Sequence, residues 1–168
     1  IAIELADLLN AKRDEILDLV GRAGRLALEL QSRSLEFVLC HADIHAGNVL
    51  MDANGALYIV DWDDPIFAPK ERDLMFVGGG QFGDARSPQE EEALFYRGYG
   101  RTQIDPTAVA YYRYERIVQD IAVFCEEIRL SDEGHEDRVQ SLRYLKSNFL
   151  PNGTIAIAYA ADKTPRES

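Results

Sequence analysis

The first 34 residues of the chain repeat leucine and isoleucine at the spacing of a helix. Apolar side chains recur there every three or four positions among lysine, arginine, aspartate and glutamate. That period places them along one face of an amphipathic helix. Asn10 is a point at which the segment can divide, so we expect one or two helices followed by a loop at residues 32–34.

After this loop the pattern changes to short apolar runs that are typical of strands. One run occupies residues 37–39, and two more, at 49–51 and 57–60, flank a polar loop that contains Asn-Gly. Two such runs joined by an Asn-Gly loop predict a β-hairpin. The hairpin would hold Asn48 at the start of one strand beside Asp61 at the end of the other.

The rest of the chain returns to helical signals. The predicted helices, each marked by a start signal or a helical period of apolar residues, are 71–77, one opening at Ser87-Pro88, a long one opening at Asp105-Pro106, and about 133–149. A short tail segment follows the stop signal at residues 151–153, and residues 163–168 are expected to fray. The chain is therefore predicted to be α+β and mainly helical.

Residues 78–83 contain a Gly-x-Gly-x-x-Gly match, which we interpret as a loop. A dinucleotide-binding site requires a strand that leads into this motif and a helix that opens at its end. Neither pattern is present on the two sides of the match.

The composition describes one globular domain with an excess of negative charge. The 168 residues are 46% hydrophobic and carry a formal net charge of −11. Such a charge disfavours nucleic acid and anionic membrane surfaces and favours cationic ligands, although acidity also serves solubility alone. The two cysteines are too few for a disulfide framework, and no long apolar run or leader-like N-terminus is present. We therefore predict a cytoplasmic protein without a membrane span, whose oligomeric state the sequence leaves open.

Three oxygen-bearing side chains come together around the predicted hairpin. Asp43 precedes Asn48 by five positions in a loop that contains Gly47, and Asp61 ends the second strand. Carboxylate and amide oxygens suit Mg²⁺ better than a softer metal. Phosphoryl transfer of the kinase type uses a catalytic-loop aspartate, an asparagine five positions later and a downstream aspartate on the metals. The spacing therefore favours phosphoryl transfer, with Asp43 free to accept a proton from an attacking hydroxyl.

A second interpretation groups His41, Asp43 and His45 as a metal cluster of a hydrolase, completed by the carboxylates at residues 61–64. Alternate positions on a strand would place the first three side chains on one face. A nitrogen-rich zinc site would, however, have only one further histidine to draw on. This interpretation also gives Asn48 no role.

The segment His41-x-Asp43-x-x-x-x-Asn48, with Asp61-Trp62-Asp63 after it, resembles the catalytic core of the aminoglycoside phosphotransferase and choline kinase family, relatives of the protein kinases. The later run at residues 65–76 contains an Arg-Asp-Leu that family members often carry there. Within the family, residues 40–45 and 68–73 are most similar to spectinomycin phosphotransferases. The resemblance runs from about residue 37 to 152 and implies a protein-kinase-like C-terminal lobe, in which a catalytic loop and a short β-hairpin pack on helices.

The resemblance implies roles for four residues in the reaction. Asp43 would be the catalytic base, and Asn48 and Asp61 would hold Mg²⁺ on the terminal phosphates of ATP or another nucleoside triphosphate. Asp63 would be a second candidate, either as a metal ligand or as a partner of ammonium groups on the substrate. The acceptor would be a hydroxyl of a cationic small molecule, such as an aminoglycoside or an aminocyclitol.

Two further residues would support the loop. The resemblance makes His41 a structural brace and Asp73 an anchor that accepts hydrogen bonds from the loop backbone or from His41. Asp73 lies among Leu74, Met75 and Phe76, so we expect it to be buried and hydrogen-bonded.

One part of the family pattern does not precede the motif. About forty residues come before His41, and they are predicted to be helical, without a strand lysine or a phosphate-covering loop. The chain also begins with Ile1 rather than Met. We therefore expect residues 1–168 to be one domain, the C-terminal lobe of such an enzyme, inactive on its own. A choline- or homoserine-type kinase, and a non-catalytic module that binds a cationic ligand, remain as alternatives.

Overall fold

Helix α5 (Pro106–Leu130) is the element on which the helical part of the chain is assembled. The structure is a computed structural model, and it describes residues 1–79, 86–130 and 135–163. The helices in contact with α5 are α1 (Ala2–Ala11), α2 (Arg13–Gln31), α3 (Glu71–Leu74), α6 (His135–Ser147) and α7 (Thr154–Asp162). Helix α4 (Pro88–Tyr99) lies between α3 and α5 in the sequence.

The core forms between α2, α5, α6 and α7 because their buried apolar positions follow helical spacing. The large buried side chains on α2, α5 and α6 lie one or two turns apart along each helix. They are Leu19, Leu26 and Leu30 of α2, Tyr114, Ile117, Ile121 and Ile128 of α5, and Leu142 and Leu145 of α6. The mainly helical architecture predicted from the sequence is thereby confirmed.

Both predicted helix start signals are used. Ser87 and Glu90 form a reciprocal capping box, in which the Ser87 hydroxyl accepts the Glu90 N–H at 3.3 Å and the Glu90 carboxylate accepts the Ser87 N–H at 2.8 Å. The carboxylate of Asp105 accepts the N–H of Thr107 at 2.8 Å at the start of α5. These bonds satisfy amide donors that a helix start leaves without an intrahelical partner.

Four short strands form two antiparallel pairs. Strand β1 (Val38–Cys40) pairs with β4 (Ile66–Ala68), and β2 (Val49–Met51) pairs with β3 (Leu57–Ile59). The second pair is the predicted hairpin. Its side chains are exposed on both faces.

The hairpin turn is built from its own polar residues. The carboxylate of Asp52 accepts the N–H groups of Asn54 at 2.8 Å and Ala56 at 2.9 Å. Gly55 takes a φ of +84°, a conformation that side-chain-bearing residues rarely adopt. The turn therefore fixes the register that sets Val49 opposite Ile59.

Two elements go beyond the sequence-based prediction. Strand β4 is a three-residue strand between Pro65 and Pro69, too short to show an alternating pattern. The predicted tail segment is helix α7, which buries Ile155 and Ala158 in the core. Contact with α5 stabilises a helix that has little helical signal of its own.

Some predicted boundaries move or cannot be compared. The division between the first two helices falls at Lys12 rather than at Asn10. Most of the Gly-x-Gly-x-x-Gly segment, the first residues of the predicted helix 133–149 and the end of the frayed tail lie outside the described residues. None of the helices in the described ranges is long and apolar enough to cross a membrane.

Candidate active site

The loop after β1 is held by Asp73, which follows Arg72 in the short helix α3. The Asp73 carboxylate accepts the backbone N–H of His41 at 3.0 Å and that of Ala42 at 2.8 Å. Ala42 has a φ of +70°, in the left-handed region that a residue with a Cβ enters at a cost of about 1–2 kcal/mol. Both oxygens of one carboxylate therefore bind the backbone where it takes this unfavourable turn.

The imidazole of His41 links the loop to the second strand of the hairpin. Its Nδ1 accepts the backbone N–H of Asp43 at 3.3 Å, and its Nε2 lies 2.8 Å from the carbonyl oxygen of Val60. Because Nδ1 accepts, the neutral ring carries its proton on Nε2 and donates it to Val60. The ring is buried and lies 4.6 Å from the ring of Trp62.

Asn48 lies at the end of a single 3₁₀ turn (Ala46–Asn48) that leads into β2. Its side-chain Nδ2 donates to the backbone carbonyl oxygen of Asp43 at 2.9 Å. The backbone carbonyl oxygen of Asn48 accepts the N–H of Val60 at 3.0 Å. The side-chain nitrogen is thus engaged within the loop, which leaves Oδ1 as the atom that can act as a ligand. These bonds bring Asp43, Asn48 and the residue before Asp61 together.

Asp61 is exposed and has a φ of +66°. It and Ala42 are the non-glycine residues with positive φ in the described ranges, and both lie in the candidate site. Residues in such conformations persist where the surroundings fix them, often at functional sites. Asp63, two residues further on, is exposed, and no hydrogen bond or ion pair with the described residues ties it to the loop.

The carboxylate of Asp43 is shared between two cationic or potentially cationic side chains. One oxygen lies 2.7 Å from Nη1 of Arg116, on α5, and the other lies 3.7 Å from Nε2 of His45. Arg116 also binds Asp120, one turn further along α5, with Nε 2.8 Å from its carboxylate. Burial raises the pKa of Asp120, and its ion pair with Arg116 acts in the opposite direction. Arg116 lies 73 positions after Asp43 along the chain, and no sequence signal marks it as part of the site.

His45 is oriented by the glycine that lies two positions after it. Its Nδ1 accepts the backbone N–H of Gly47 at 3.0 Å. A Cβ at Gly47 would lie only 2.7 Å from Cε1 of this ring. The ring can therefore lie over the backbone at this position only because residue 47 is glycine.

The hydrolase interpretation fails on this geometry. Both ring nitrogens of His41 are engaged with the backbone, and β1 ends at Cys40, so residues 41–45 do not alternate along a strand. In the described part of the chain no group of three or more His, Cys, Asp or Glu side chains is arranged to hold a metal ion. An amide and a carboxylate at Asn48 and Asp61 do suit Mg²⁺, which proteins bind through one or two carboxylates together with substrate phosphates and water.

A cavity of about 290 Å³ lies between α5, α7 and the segment after α3, and its lining includes Arg116 and His45, the two side chains that contact Asp43. Its apolar wall includes Phe76, Ile117 and Ile157, and its polar wall includes Arg116 and Asp120. This combination of an apolar surface with a few charged groups is typical of small-molecule sites.

A third charged side chain of this cavity is already bonded to the backbone. Arg113 donates from Nε to the carbonyl of Met75 at 2.9 Å and from Nη2 to that of Val77 at 2.7 Å. Burial lowers the pKa of Arg113. Its donors therefore fix the segment after α3, which forms one side of the cavity.

A second, larger cavity of about 580 Å³ lies on the other side of the loop. The residues that line it are mostly apolar and come from β1, the loop, the hairpin, α3 with the segment after it, and α4, among them Leu39, Val49, Met51 and Phe95. The outer positions of this surface are widely exposed, with Met51 at 71% and Leu57 at 68%.

Comparison with known proteins gives a family and two structural matches. Residues 2–112 match the model of the phosphotransferase enzyme family, APH. A crystal structure of spectinomycin phosphotransferase, APH(9)-Ia, in complex with ADP and spectinomycin is 41% identical and superposes with a TM-score of 0.82. An AMP-bound complex of the same enzyme is also 41% identical, with a TM-score of 0.78. No curated protein sequence matches the chain.

Each of the two matches covers 94% of this chain and 48% of the APH(9)-Ia chain. The chain therefore spans about half the length of the solved structures that it matches.

Proposed function

Because the chain belongs to the phosphotransferase enzyme family, we propose that it forms the C-terminal lobe of an ATP-dependent O-phosphotransferase that acts on a hydroxyl of a cationic small molecule. One observation carries the proposal. Asp43, Asn48 and the backbone beside Asp61 are joined through hydrogen bonds in a single loop and hairpin that opens next to a cavity. These are the catalytic-loop and metal-binding groups of phosphoryl transfer of the kinase type.

Asp43 is the catalytic base in this proposal. Its carboxylate contacts Arg116 and His45, which both line the cavity, and we expect an acceptor bound there to present its hydroxyl to this carboxylate. A base within hydrogen-bonding reach of the attacking hydroxyl orients it and takes its proton as the new bond forms. The hydrogen bonds of Asp73 and of the His41 ring support this role because they hold the loop backbone at residues 41–43.

Asn48, through Oδ1, and Asp61 are the proposed ligands of Mg²⁺, with Asp63 as a further candidate. When bound, the metal would neutralise charge on the terminal phosphates of ATP. The orientation of the Asn48 amide supports this assignment, since its nitrogen is bonded to the loop and its oxygen is not. The complexes of APH(9)-Ia with ADP and with AMP support a nucleotide as the donor.

We propose an aminocyclitol such as spectinomycin as the acceptor. A relative that is 41% identical has been solved with spectinomycin. The carboxylate of Asp120 lines the cavity and that of Asp43 contacts Arg116 in its wall, so both are near the place where an amino group of the acceptor would be neutralised. The net charge of −11 favours the approach of a cation. A choline- or homoserine-type acceptor would use the same base.

We also propose that the protein is cytoplasmic, because its two cysteines are free thiols.

The test uses the longest natural polypeptide that contains this chain. It is incubated with ATP, Mg²⁺ and a panel of aminocyclitols, aminoglycosides, choline and homoserine, and phosphorylated product is detected by mass spectrometry. We expect transfer to an aminocyclitol, and we expect Asp43→Asn to lower kcat by about 10²–10⁴-fold while acceptor affinity is kept.

The matched control is Asp7→Asn, on an exposed position of α1, which should leave both quantities unchanged. Acceptor binding without any transfer would contradict the proposal and favour a non-catalytic module. Transfer that survives Asp43→Asn would remove Asp43 from the role of base.

A further inference from the structure

Arg116 forms an ion pair that joins helix α5 of the core to Asp43, the candidate base. It stands on α5 directly before Ile117, which is buried in the core, so the helix backbone under Arg116 is fixed. Its guanidinium extends to the loop and places Nη1 2.7 Å from the Asp43 carboxylate. The loop itself contributes no cation at this distance in the described residues, since His45 lies 3.7 Å away.

The guanidinium is held from a second side as well. Its Nε lies 2.8 Å from the carboxylate of Asp120, so the same planar group spans two acidic residues, one on its own helix and one on the loop. A guanidinium offers donors in a rigid fork, and binding at two points removes most of its rotational freedom. Asp120 therefore sets the direction of Arg116, and Arg116 sets the direction of one oxygen of Asp43.

From this geometry we infer that Arg116 is a positioning residue for phosphoryl transfer, acting through Asp43, with Asp120 holding it in place. The inference rests on the proposed function. Each carboxylate oxygen has two lone pairs, so Arg116 occupies one and leaves the rest of the carboxylate open to an acceptor hydroxyl. The two backbone anchors at His41 and Ala42 fix the loop, but they do not fix rotation of the Asp43 side chain, and Arg116 does.

A purely structural role makes a different prediction from a positioning role. If Arg116 only joined α5 to the loop, its removal would lower stability and leave the turnover of folded protein unchanged. If it bound the acceptor, removal would raise KM for the acceptor. A positioning residue acts after binding, so its loss lowers kcat with little change in either KM.

The experiment measures kcat, both KM values and the thermal midpoint for Arg116→Gln, Arg116→Lys and Asp120→Asn in the longest natural polypeptide that contains this chain. We expect Arg116→Gln to lower kcat by about 10- to 100-fold, with both KM values within about threefold of the parent. Arg116→Lys keeps the charge but cannot span both carboxylates, so its kcat should lie between those of Arg116→Gln and the parent. Asp120→Asn should also lower kcat, by less than Arg116→Gln.

The chain offers a matched control for the loss of a bridging arginine. Arg22 on α2 likewise spans two carboxylates, with Nε 2.7 Å from Asp18 and Nη1 2.8 Å from Asp162, away from the candidate site. Arg22→Lys is expected to lower the thermal midpoint and leave kcat unchanged. It separates the effect of a broken ion pair on stability from an effect on turnover.

The outcomes distinguish the inference from the proposed function. If the parent is active and the Arg116 variants have the same kcat as Arg22→Lys, the positioning role is overturned and the proposed function stands. A rise in acceptor KM at unchanged kcat would do the same, because it would assign Arg116 to binding. A parent that transfers no phosphate to any acceptor would remove the proposed function and this inference with it. If Arg116→Gln does not fold, the kcat of Asp120→Asn tests the positioning role: a lower kcat supports it, and an unchanged kcat overturns it.

Discussion

Asp73 accepts the backbone N–H of Ala42 at 2.8 Å, at a position where Ala42 has a φ of +70°. The second oxygen of Asp73 accepts the N–H of His41 at 3.0 Å. A left-handed alanine is unfavourable, and hydrogen bonds to a charged acceptor are among the stronger ones in proteins. The shape of the loop that carries Asp43 is thus maintained by a carboxylate more than thirty positions away.

The first prediction concerns this anchor. Asp73→Ala should lower the free energy of unfolding by about 2–4 kcal/mol, because two backbone donors lose a charged acceptor. Asp73→Asn offers only one oxygen to the two donors and should cost about half as much. The measurement is urea denaturation at neutral pH.

Ala42→Gly provides the internal check on that prediction. Glycine adopts positive φ without the Cβ penalty, so adding it to Asp73→Ala should recover about 1 kcal/mol. Asp64→Ala, an exposed carboxylate in the same part of the chain, should change stability by less than about 0.5 kcal/mol. An Asp73→Ala protein as stable as Asp64→Ala would show that the two hydrogen bonds do not hold the loop.

The second prediction compares two glycines that differ in their surroundings. At Gly153, before α7, a Cβ would lie 2.5 Å from the carbonyl oxygen of Ser147 and 2.6 Å from that of Asn148. At Gly24, inside α2, a Cβ would meet nothing within 4 Å. Gly153→Ala should therefore destabilise the protein by about 1–3 kcal/mol through overpacking, and Gly24→Ala should stabilise it by about 0.5–1 kcal/mol through helix propensity.

Thermal and urea unfolding of both variants check this pair. Equal effects of the same sign would mean that α7 does not pack as described. A Gly153→Ala protein with parental stability would show that the α6–α7 connection moves aside without cost.

The sequence was sufficient for the parts of the site that are local in the chain. The five-residue spacing from Asp43 to Asn48 and the Asn-Gly turn that returns the strand toward Asp61 are short-range features, and the hairpin follows from them. The family resemblance implies the loop contacts of Asp73, and the structure identifies the two amides that it binds. Its apolar neighbours predict burial, but Asp73 is only half-buried.

Arg116 could not be found in this way. It lies 73 positions after Asp43 on a helix whose pattern gives only its buried face, and nothing local marks one arginine on the partly exposed face as the one that reaches the loop. The α7 helix was missed for a related reason. Its apolar residues form a helix because α5 offers them a surface, and that surface is a property of the tertiary fold.

The third prediction concerns acid stability at the far end of the core. Burial opposes ionisation of Asp162, but hydrogen bonds from Arg22 and Arg25 outweigh it and hold the pKa of Asp162 below its ordinary value of 3.8. A carboxyl whose pKa is lowered by folding contributes stability above the unfolded pKa and loses it as the pH falls toward the folded pKa. The parent should therefore lose this contribution below about pH 4.

Asp162→Asn should be less stable than the parent at pH 7 by about 1–3 kcal/mol and should lose less of its remaining stability between pH 5 and pH 3, in about the range where the carboxyl titrates. Urea denaturation across this pH range measures both effects. Asp7→Asn, on the exposed face of α1, should follow the parent curve. Identical slopes for Asp162→Asn and the parent would show that other carboxyls carry the acid dependence.

The last prediction is that a polypeptide of these 168 residues alone binds ATP weakly and transfers little or no phosphate. Kinase-type transfer needs a glycine-rich loop over the phosphates and a strand lysine. In these residues the helices α1 and α2 and the short strand β1, which contains no lysine, precede His41. Asn48 and Asp61 would hold the metal and phosphates from one side only. Apolar side chains of the hairpin that carries these ligands, such as Leu50 and Tyr58, are also about half exposed.

Isothermal titration with ATP and Mg²⁺, together with a transfer assay, compares this polypeptide with the longest natural one that contains it. Circular dichroism and a cooperative melt establish that the shorter polypeptide is folded, so that weak binding reports the missing contacts and not an unfolded chain. We expect its kcat to be lower by at least about 100-fold, because the phosphates would not be positioned for in-line attack. Comparable turnover by the two polypeptides would mean that the described lobe positions the nucleotide by itself.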